Sequence, residues 1–354
     1  MAFRTQMDFR FRAFSENKVG ALWQQEFEQR WPAYHQWFLR YGESDRPTYF
    51  DSLKALQTYM PELIPVYEDM VELAGGGDHA ARFLSQYSPP PLFRGCSQAV
   101  YLKDEPIIVR NYDYSPYVFD GLVMRSHFDQ VPVIAMIDCM SGVLDGMNQH
   151  GLAVSMSFGG LEDFGEGFGI TIVLRYILEY ASNVREAVEL VKDIPVHGAY
   201  NVTLLDKQAN FSTLTMAPGE KTREVSTPVA TNHQNLGSWP LYEEKVKTKA
   251  RFDYLNELIE REQETTDSFV LKFLQQPLYH TQFGRGFGTL YTAAYYPYRN
   301  ECRYIWPANE WRFNFDNFQE TVYQVSFIDP AGYPNQAEPY ADVHTANRIP
   351  VLQF

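Results

Sequence analysis

The stretch Leu92-Phe-Arg-Gly-Cys-Ser-Gln-Ala-Val-Tyr101 marks the point where the sequence changes from a helical to a strand-like pattern. Over residues 17–87, apolar side chains recur at three- and four-residue spacing, which is typical of helices. Ser88-Pro-Pro-Pro91 then ends the helical pattern, and residues 97–102 are predicted to form a strand. Gly95 and Cys96 therefore lie at the start of the first predicted strand.

Downstream of Cys96 the pattern predicts strands, then helices, then strands, one helix and further strands. The predicted strands are 97–102, 106–111, 131–138, 152–158, 200–206, 211–216, 229–231, 289–296 and 302–306, and the predicted helices are 169–182, 184–192 and 240–263. This block order is typical of a layered α+β fold and not of alternating βαβ units. The pattern assigns no structure to the residues from about 310 onward.

Gly95-Cys96 indicates a protein that cleaves its own chain. Glycine permits the strained backbone that an N→S acyl shift requires. Attack of the Cys96 thiol on the Gly95 carbonyl would give a thioester, and hydrolysis would leave Cys96 at a new N-terminus. An α-amine has a pKa of about 7.7–8.0 and a thiol of about 8.5, so the amine can accept the thiol proton without a histidine.

The tetrapeptide Arg110-Asn-Tyr-Asp113 follows at a short distance and offers the two charges that such a nucleophile needs. We expect Asp113 to hold the Cys96 amine, and Arg110 to lie beside the thiol and favour the thiolate. His150, His233 and His280 have no histidine or carboxylate at metal-ligand spacing and are interpreted as structural residues.

Composition excludes several classes of protein and partner. The net charge of −14 argues against binding to nucleic acid. Three cysteines form neither a disulfide framework nor a CxxC metal site. Residues 1–10 lack the apolar core of a secretory signal, and no run of residues is long enough to span a membrane. We therefore expect a soluble cytoplasmic protein.

Five short motifs occur in an order that resembles a known family. They are Gly95-Cys96, Arg110-Asn-Tyr-Asp113, Asp145-Gly-Met-Asn-Gln-His-Gly-Leu-Ala-Val154, Ala230-Thr-Asn-His233 and Gly288-Thr-Leu-Tyr-Thr-Ala-Ala-Tyr-Tyr-Pro297. The chain resembles the cysteine N-terminal nucleophile (Ntn) hydrolases over residues 93–306. Among them it is most similar to the penicillin-type acyl-CoA:6-aminopenicillanic acid acyltransferases, which are related to the choloylglycine hydrolases and penicillin V acylases.

The resemblance implies a four-layer αββα sandwich with two stacked antiparallel sheets. Residues 1–95 would be a helical pro-segment that stays associated as a small subunit after cleavage, and residues 96–354 would be the catalytic domain. Length favours the acyltransferase branch, because the bile-salt branch begins almost at its cysteine.

The resemblance also implies roles for individual residues. Cys96 would be the nucleophile and its amine the base, with Asp113 and Arg110 beside them. Asn232 would donate its side-chain amide to the oxyanion, and the backbone near Ser157 would supply the second donor. The family's late arginine would be Arg251 or Arg285, with Arg251 the slightly better match. Asp145-Gly-Met-Asn148 is expected to form a tight turn without a catalytic role.

The implied activity is cleavage or transfer of the acyl group of a linear amide, through a thioester on Cys96. The substrate would be a small molecule with an apolar acyl group. No metal or organic cofactor would be required, although acyl-CoA could serve as a co-substrate. Three alternatives stay open: an acyl-CoA-dependent N-acyltransferase, a silent binding protein that keeps the fold, and a conventional Cys-His peptidase. The sequence also leaves open whether the protein forms a homo-oligomer.

Overall fold

The computed structural model of the protein describes residues 6–92, 95–116, 118–261 and 263–328. The helices in these ranges are α1 (Ala21–Phe38), α2 (Tyr49–Tyr59), α3 (Ile64–Leu73), α4 (Asp78–Leu84), α5 (Ile170–Tyr180), α6 (Val184–Val191), α7 (Pro240–Val246), α8 (Thr248–Glu260) and α9 (Thr266–Lys272). Short 3-10 turns lie at Glu43–Asp45, Pro61–Leu63, Phe283–Arg285 and Pro297–Arg299.

The strands in the same ranges belong to two sheets. They are β1 (Gln6–Glu16), β2 (Gly95–Tyr101), β3 (Ile107–Tyr114), β4 (Leu122–Ser126), β5 (Val133–Asp138), β6 (Gly142–Asn148), β7 (Ala153–Phe158), β8 (Tyr200–Leu205), β9 (Phe211–Met216), β10 (Arg223–Val225), β11 (Val229–Ala230), β12 (Gly288–Tyr296), β13 (Glu301–Trp306), β14 (Asn309–Asn314) and β15 (Thr321–Ile328). One sheet has the order β10-β9-β8-β7-β6-β5-β4-β1-β15, and the other has the order β11-β2-β3-β12-β13-β14.

The two sheets stack face to face, and helices cover both outer faces. Buried side chains of β2 and β3 pack against those of β1, β5 and β6 in a core between the sheets. A second core joins α1–α6 to the nine-stranded sheet, and a third joins α8 and α9 to the six-stranded sheet. The layer order is therefore αββα, and the predicted α+β fold class is confirmed.

The first strand, β1, lies inside the nine-stranded sheet. It pairs antiparallel with β15 and parallel with β4. The prediction of a helical segment over residues 1–95 does not hold for residues 6–16. The missed signal is alternation: Phe11 and Ala13 are buried, whereas Arg10 is exposed and Arg12 is half-buried. The N-terminal segment thus contributes a strand to the main sheet as well as helices to one face.

Other departures from the sequence analysis have local causes. The single helix expected over 240–263 is two helices, because Lys247 adopts a left-handed conformation with φ of 49° between them. Asp145-Gly-Met-Asn148 is part of strand β6 and not a tight turn. Residues 309–314 and 321–328 are strands, and residues 329–354 lie outside the described ranges.

The sequence predicts neither a membrane span nor a disulfide framework. None of its helices is both long and apolar enough to span a membrane. Cys96, Cys139 and Cys302 are all described and buried, and no disulfide joins them.

Candidate active site

Cys96 and Arg110 lie on paired strands and face the same layer between the sheets. Gln98 of β2 is the register partner of Arg110 on β3, so Cys96 is two residues away on the same face. Arg110 Nη2 donates to Cys96 Sγ over 3.2 Å, and both side chains are fully buried. A guanidinium at this distance favours the thiolate. The structure therefore brings together the predicted nucleophile and its predicted cation.

Arg110 is fixed by partners on both sheets. Its Nη1 donates to the carboxylate of Asp145 and, over 2.9 Å, to the hydroxyl of Tyr291. Its Nε donates to the carbonyl of Met156 over 2.9 Å. Burial on its own would lower the pKa of Arg110, but Cys96, Tyr291 and Asp145 outweigh burial and hold this pKa above its ordinary value. The cation beside the thiol is therefore permanent.

Cys96, Arg110 and their polar partners form a buried group that we call the Cys96 centre. Asp145 belongs to it, although the sequence predicted only a structural role for this residue. Tyr291 donates to its Oδ2 over 2.6 Å, and Tyr295 donates to its Oδ1. Burial, followed by the charge of Asp145, raises the pKa values of both tyrosines well above the ordinary range, so both are neutral donors. The signal for Asp145 was its place in a family motif, but its contact with Arg110 depends on how the two sheets stack.

Asn232 follows strand β11 and contacts the backbone of the nucleophile. Its Oδ1 accepts from the Cys96 backbone nitrogen over 2.9 Å and from Arg251 Nη2 over 2.8 Å. Its Nδ2 donates to the Phe158 carbonyl over 3.1 Å. The Thr248 hydroxyl accepts from the Asn232 backbone nitrogen over 2.7 Å and anchors the loop.

Arg251 lies in the first turn of α8 and reaches the same residues from the helix-covered face of the six-stranded sheet. Its Nη1 donates to the Cys96 carbonyl and, over 2.6 Å, to the Ser97 hydroxyl. The structure thus places Arg251 at the centre. Arg285, the other candidate for the late arginine, ends a 3-10 turn, and its side chain lies outside the described part of the structure.

Asp113 lies beside Gly95, its register partner on β2. Its Oδ1 accepts from the Thr289 hydroxyl over 2.7 Å. Its buried Oδ2 has no hydrogen-bond partner within the described ranges. Arg251 Nη1 and His280 Nε2 each lie 3.8 Å from this oxygen, which is too far for a hydrogen bond. The carboxylate therefore has an acceptor site available beside Gly95.

Strands β6 and β7 separate at one end, and the side chains of Arg110 and Asn232 reach the backbone there. The two strands pair only from Asp145 with Ser155 to Met147 with Ala153, although β7 continues to Phe158. Beyond the paired residues, the carbonyls of Met156 and Phe158 accept from Arg110 and Asn232 instead. Side chains of the six-stranded sheet thus satisfy backbone groups where the nine-stranded sheet opens.

Ser157, the predicted backbone donor, lies within this open part of β7. Its hydroxyl donates to the Thr231 carbonyl over 2.7 Å and accepts from Asn201 over 3.2 Å. Its side chain therefore supports the residue that precedes Asn232. The backbone role of Ser157 stays a prediction.

A small cavity adjoins the centre on the helical side of the nine-stranded sheet. Met156 and Phe158 line it, and Trp37, Pro89 and Leu92 of the N-terminal segment form part of its wall. Its volume is about 30 Å³, which is room for about two water molecules. The surroundings are mainly apolar.

One group of side chains in the described part of the chain has the spacing of metal ligands, and it lies away from Cys96. It consists of Glu43, Asp78 and His79. Arg82 forms ion pairs with both carboxylates, so one cation already lies beside this group.

More than half of the chain matches the sequence model of a known protein family. The sequence model of a family described as acyl-coenzyme A:6-aminopenicillanic acid acyl-transferase matches residues 101–311. This range contains Arg110, Asp113, Asn232 and Arg251. No curated protein sequence matches the chain significantly.

Several solved structures are similar to this chain. Penicillin V acylase from Agrobacterium tumefaciens is 13% identical, with 62% of this chain and 86% of that chain covered and a TM-score of 0.45. An N-acylethanolamine-hydrolyzing acid amidase ortholog from Caenorhabditis elegans is 14% identical, with 65% and 99% covered and a TM-score of 0.44. A variant of the conjugated bile acid hydrolase from Clostridium perfringens is 14% identical, with 65% and 96% covered and a TM-score of 0.38.

Proposed function

Because the chain belongs to the acyl-coenzyme A:6-aminopenicillanic acid acyl-transferase family, we propose that it cleaves itself between Gly95 and Cys96 and then acts on linear amides through a Cys96 thioester. One observation carries this proposal. The thiol of Cys96 contacts a buried guanidinium at 3.2 Å, while the backbone nitrogen of the same residue contacts Asn232 at 2.9 Å. Both atoms of an N-terminal nucleophile are thus held by polar groups.

Self-cleavage begins with attack of Cys96 Sγ on the Gly95 carbonyl carbon. An S–C bond forms, the C–N bond breaks, and the thiol proton moves to the Cys96 nitrogen. Water then adds to the thioester, the S–C bond breaks, and the sulfur regains a proton as the Gly95 carboxylate is released. A side chain at position 95 would meet Phe287 at 2.9 Å and Asp113 at 3.0 Å, so glycine suits this site sterically as well as conformationally.

The new α-amine would then act as the base for catalysis. The acceptor site on Asp113 Oδ2 suits the ammonium form, and Arg110 stabilises the thiolate. The thiolate attacks the substrate carbonyl, and the ammonium gives its proton to the leaving amine. The side-chain amide of Asn232 and the backbone near Ser157 would bind the oxyanion. Loss of one such donor typically slows reactions by about 10²–10³.

We propose that residues 1–95 stay bound after cleavage. Strand β1 lies between β4 and β15 inside the nine-stranded sheet, so its departure would open two ladders of backbone hydrogen bonds. Arg30 of α1 also forms an ion pair with Asp120 over 3.2 Å. Noncovalent packing of this extent does not depend on the Gly95–Cys96 peptide bond.

The cavity beside Met156 and Phe158 supports an apolar acyl group as the bound part of the substrate. Its N-terminal wall ends at Leu92, close in sequence to the cleaved bond. In the intact chain Cys96 is 0% exposed, so an external amide cannot reach the thiol. Cleavage would free the end of this wall, and we propose that it opens the cavity to the acyl group.

Hydrolysis and acyl transfer share the thioester and differ in the group that attacks it. Water completes hydrolysis, whereas an amine acceptor completes transfer, with an acyl-CoA or another thioester as the donor where one is used. Burial of Cys96 favours an enzyme that needs processing over a Cys-His peptidase that is active as an intact chain.

The proposal is tested by the intact mass of purified protein under reducing, denaturing conditions. We expect wild type to give two masses, one for residues 1–95 and one for residues 96–354. Cys96→Ala should give one full-length mass. Cys302→Ala is the matched control, because Cys302 is also a buried thiol on the six-stranded sheet. A single full-length mass for wild type, or cleavage of Cys96→Ala, would contradict the proposal.

A further inference from the structure

His280 lies next to the centre although its sequence context indicates a structural role. Its backbone nitrogen donates to the Thr289 hydroxyl over 2.9 Å, and its carbonyl accepts from the Thr289 backbone nitrogen over 2.9 Å. The same hydroxyl donates to Asp113 Oδ1. The backbone of His280 is therefore fixed to the residue that holds Asp113.

The ring of His280 faces the other oxygen of that carboxylate. His280 Nε2 and Asp113 Oδ2 lie 3.8 Å apart, and each is a buried polar atom without a hydrogen-bond partner in the described residues. Buried polar atoms are usually hydrogen-bonded, so two unsatisfied atoms that face each other indicate a contact made in another state of the site. A shift of about 1 Å would bring them within hydrogen-bond distance.

The position of the ring also relates it to the bond that would be cleaved. His280 packs against Phe287 with ring centroids 5.2 Å apart, and Phe287 contacts the position that a side chain on Gly95 would occupy. Gly95 is the register partner of Asp113. His280, Phe287 and Asp113 therefore surround the residue on the acyl side of the Gly95–Cys96 bond.

His280 differs from its neighbours in its contact with solvent. Cys96, Asp113 and Arg251 are 0% exposed, whereas 16% of the His280 side chain is exposed. Part of the His280 side chain therefore reaches solvent, while its buried Nε2 faces a fully buried carboxylate. The charged groups that face it are Asp113 from β3, Arg251 from α8 and Lys247 from the turn before α8.

We propose that His280 is a positioning residue of this centre: its imidazole donates Nε2–H to Asp113 Oδ2 and keeps that carboxylate aimed at the nitrogen of Cys96. The inference rests on the proposed self-cleavage. No bond to His280 forms or breaks, because the proton that moves is the Cys96 thiol proton. As that proton reaches the nitrogen of Cys96, the anionic Asp113 stabilises the positive charge that develops there.

The charge of His280 then controls the rate. Burial lowers the pKa of His280, and Arg251 and Lys247 act in the same direction against the opposing effect of Asp113. The ring is therefore neutral at neutral pH and becomes a cation only in acid. A cation beside Asp113 competes for its charge, so cleavage should slow as the pH falls through the pKa of His280.

The test is the rate of self-cleavage of the full chain, made by cell-free synthesis with a short labelling pulse and chased at pH values from about 5 to 8.5, a range that includes the titration of histidine. We expect His280→Ala to slow cleavage at neutral pH by about tenfold, which is less than the factor of about 10²–10³ for loss of a direct donor, because His280 acts through Asp113. His280→Gln, which keeps a neutral donor, should restore most of the rate and lack the acid decline. His150→Gln, at an exposed histidine, is the matched control.

The outcomes distinguish the proposed role of His280 from the proposed self-cleavage. Wild-type cleavage that Cys96→Ala abolishes, together with an unchanged rate and pH profile in His280→Ala, would overturn the role of His280 alone. If His280→Ala does not fold, a folded His280→Gln that keeps the wild-type acid decline would overturn it equally. Absence of cleavage in wild type would remove the proposed function, and this inference with it.

Discussion

Two groups of charged side chains in this molecule, one largely buried and one fully buried, have similar composition but different surroundings. The α1 cluster consists of Arg12, Glu26, Arg30 and Asp120, where Arg12 and Arg30 both contact the carboxylate of Glu26 and Arg30 also contacts Asp120. The Cys96 centre likewise contains two arginines and two carboxylates, namely Arg110, Arg251, Asp113 and Asp145.

The difference lies in what else the charges contact. In the α1 cluster the ion pairs join helix α1 to strand β1 and to the loop at Asp120. In the Cys96 centre, Arg110 also contacts a thiol, and Asp113 keeps one buried oxygen without a hydrogen bond in the described ranges. Buried ion pairs alone are weak evidence of either stability or function. A nucleophile together with an unsatisfied carboxylate is the feature that indicates chemistry.

Removal of Arg110 from the Cys96 centre should have the largest effect on both self-cleavage and stability. Arg110→Met should slow self-cleavage by at least about 100-fold, the usual scale for loss of one electrostatic contact in an active site. It should also lower the free energy of unfolding by about 3–5 kcal/mol, because Asp145 would be left buried without its cation. Cleavage is measured by intact mass against time, and unfolding by urea titration in the Cys96→Ala background.

A double variant separates these two effects. Arg110→Met combined with Asp145→Asn removes both buried charges, so much of the lost stability should return. Self-cleavage should stay slow, because no cation remains beside the thiol. Recovery of fast cleavage in the double variant would mean that Arg110 acts only by holding the fold.

The same change in the α1 cluster should affect stability alone. Arg30→Met removes a cation from Glu26 and Asp120, and we expect a loss of about 3 kcal/mol, the low end for a broken buried pair. The rate of self-cleavage should stay within about twofold, because the ion-pair partners of Arg30 are Glu26 and Asp120, and sites that share no partner act independently. Urea unfolding and the cleavage time course are compared with those of Arg110→Met. Equal slowing in both variants would show that the α1 cluster acts on the centre and would break the comparison.

The sequence predicted the parts of this centre that lie in local motifs. Gly95, Cys96, Arg110 and Asp113 follow from two short segments on adjacent strands, and the strand prediction alone places them close together. The layered α+β class followed from the block pattern, and the αββα order followed from the family resemblance. Strand β1 was missed although its alternating pattern is visible in the sequence.

The rest depended on contacts that no local pattern encodes. Asp145 meets Arg110 only because the two sheets stack in one particular way, and Tyr291 and Tyr295 reach Asp145 from the opposite sheet. His280 approaches Asp113 through the irregular segment between α9 and β12. Side-chain geometry across layers is set by packing, whereas periodicity describes only one element at a time.

A third buried pair, Arg175–Glu179 on α5, extends the comparison to the effect of pH and should have the smallest effect on self-cleavage. Burial raises the pKa of Glu179 to about 7 despite Arg175, whereas an unfolded glutamate has its ordinary pKa of 4.5. The folded state therefore holds the proton more tightly. Its contribution to stability is fully present below pH of about 4.5 and is lost as the pH rises through about 7, at about 1.4 kcal/mol per unit of pKa shift.

Glu179→Gln keeps the shape of the side chain but cannot ionise, so it should remove this decline. We expect the urea midpoint of the Cys96→Ala protein to fall between pH 5 and 7.5, within the window that the raised pKa of Glu179 defines, and the midpoint of the added Glu179→Gln variant to fall less. In a chain that keeps Cys96, Glu179→Gln should leave self-cleavage unchanged at each pH. Parallel midpoints in both proteins would instead mean that Arg175 keeps Glu179 ionised. Either result tests whether a close ion pair is enough to keep a buried carboxylate charged, which is the property that the Cys96 centre requires of Asp113.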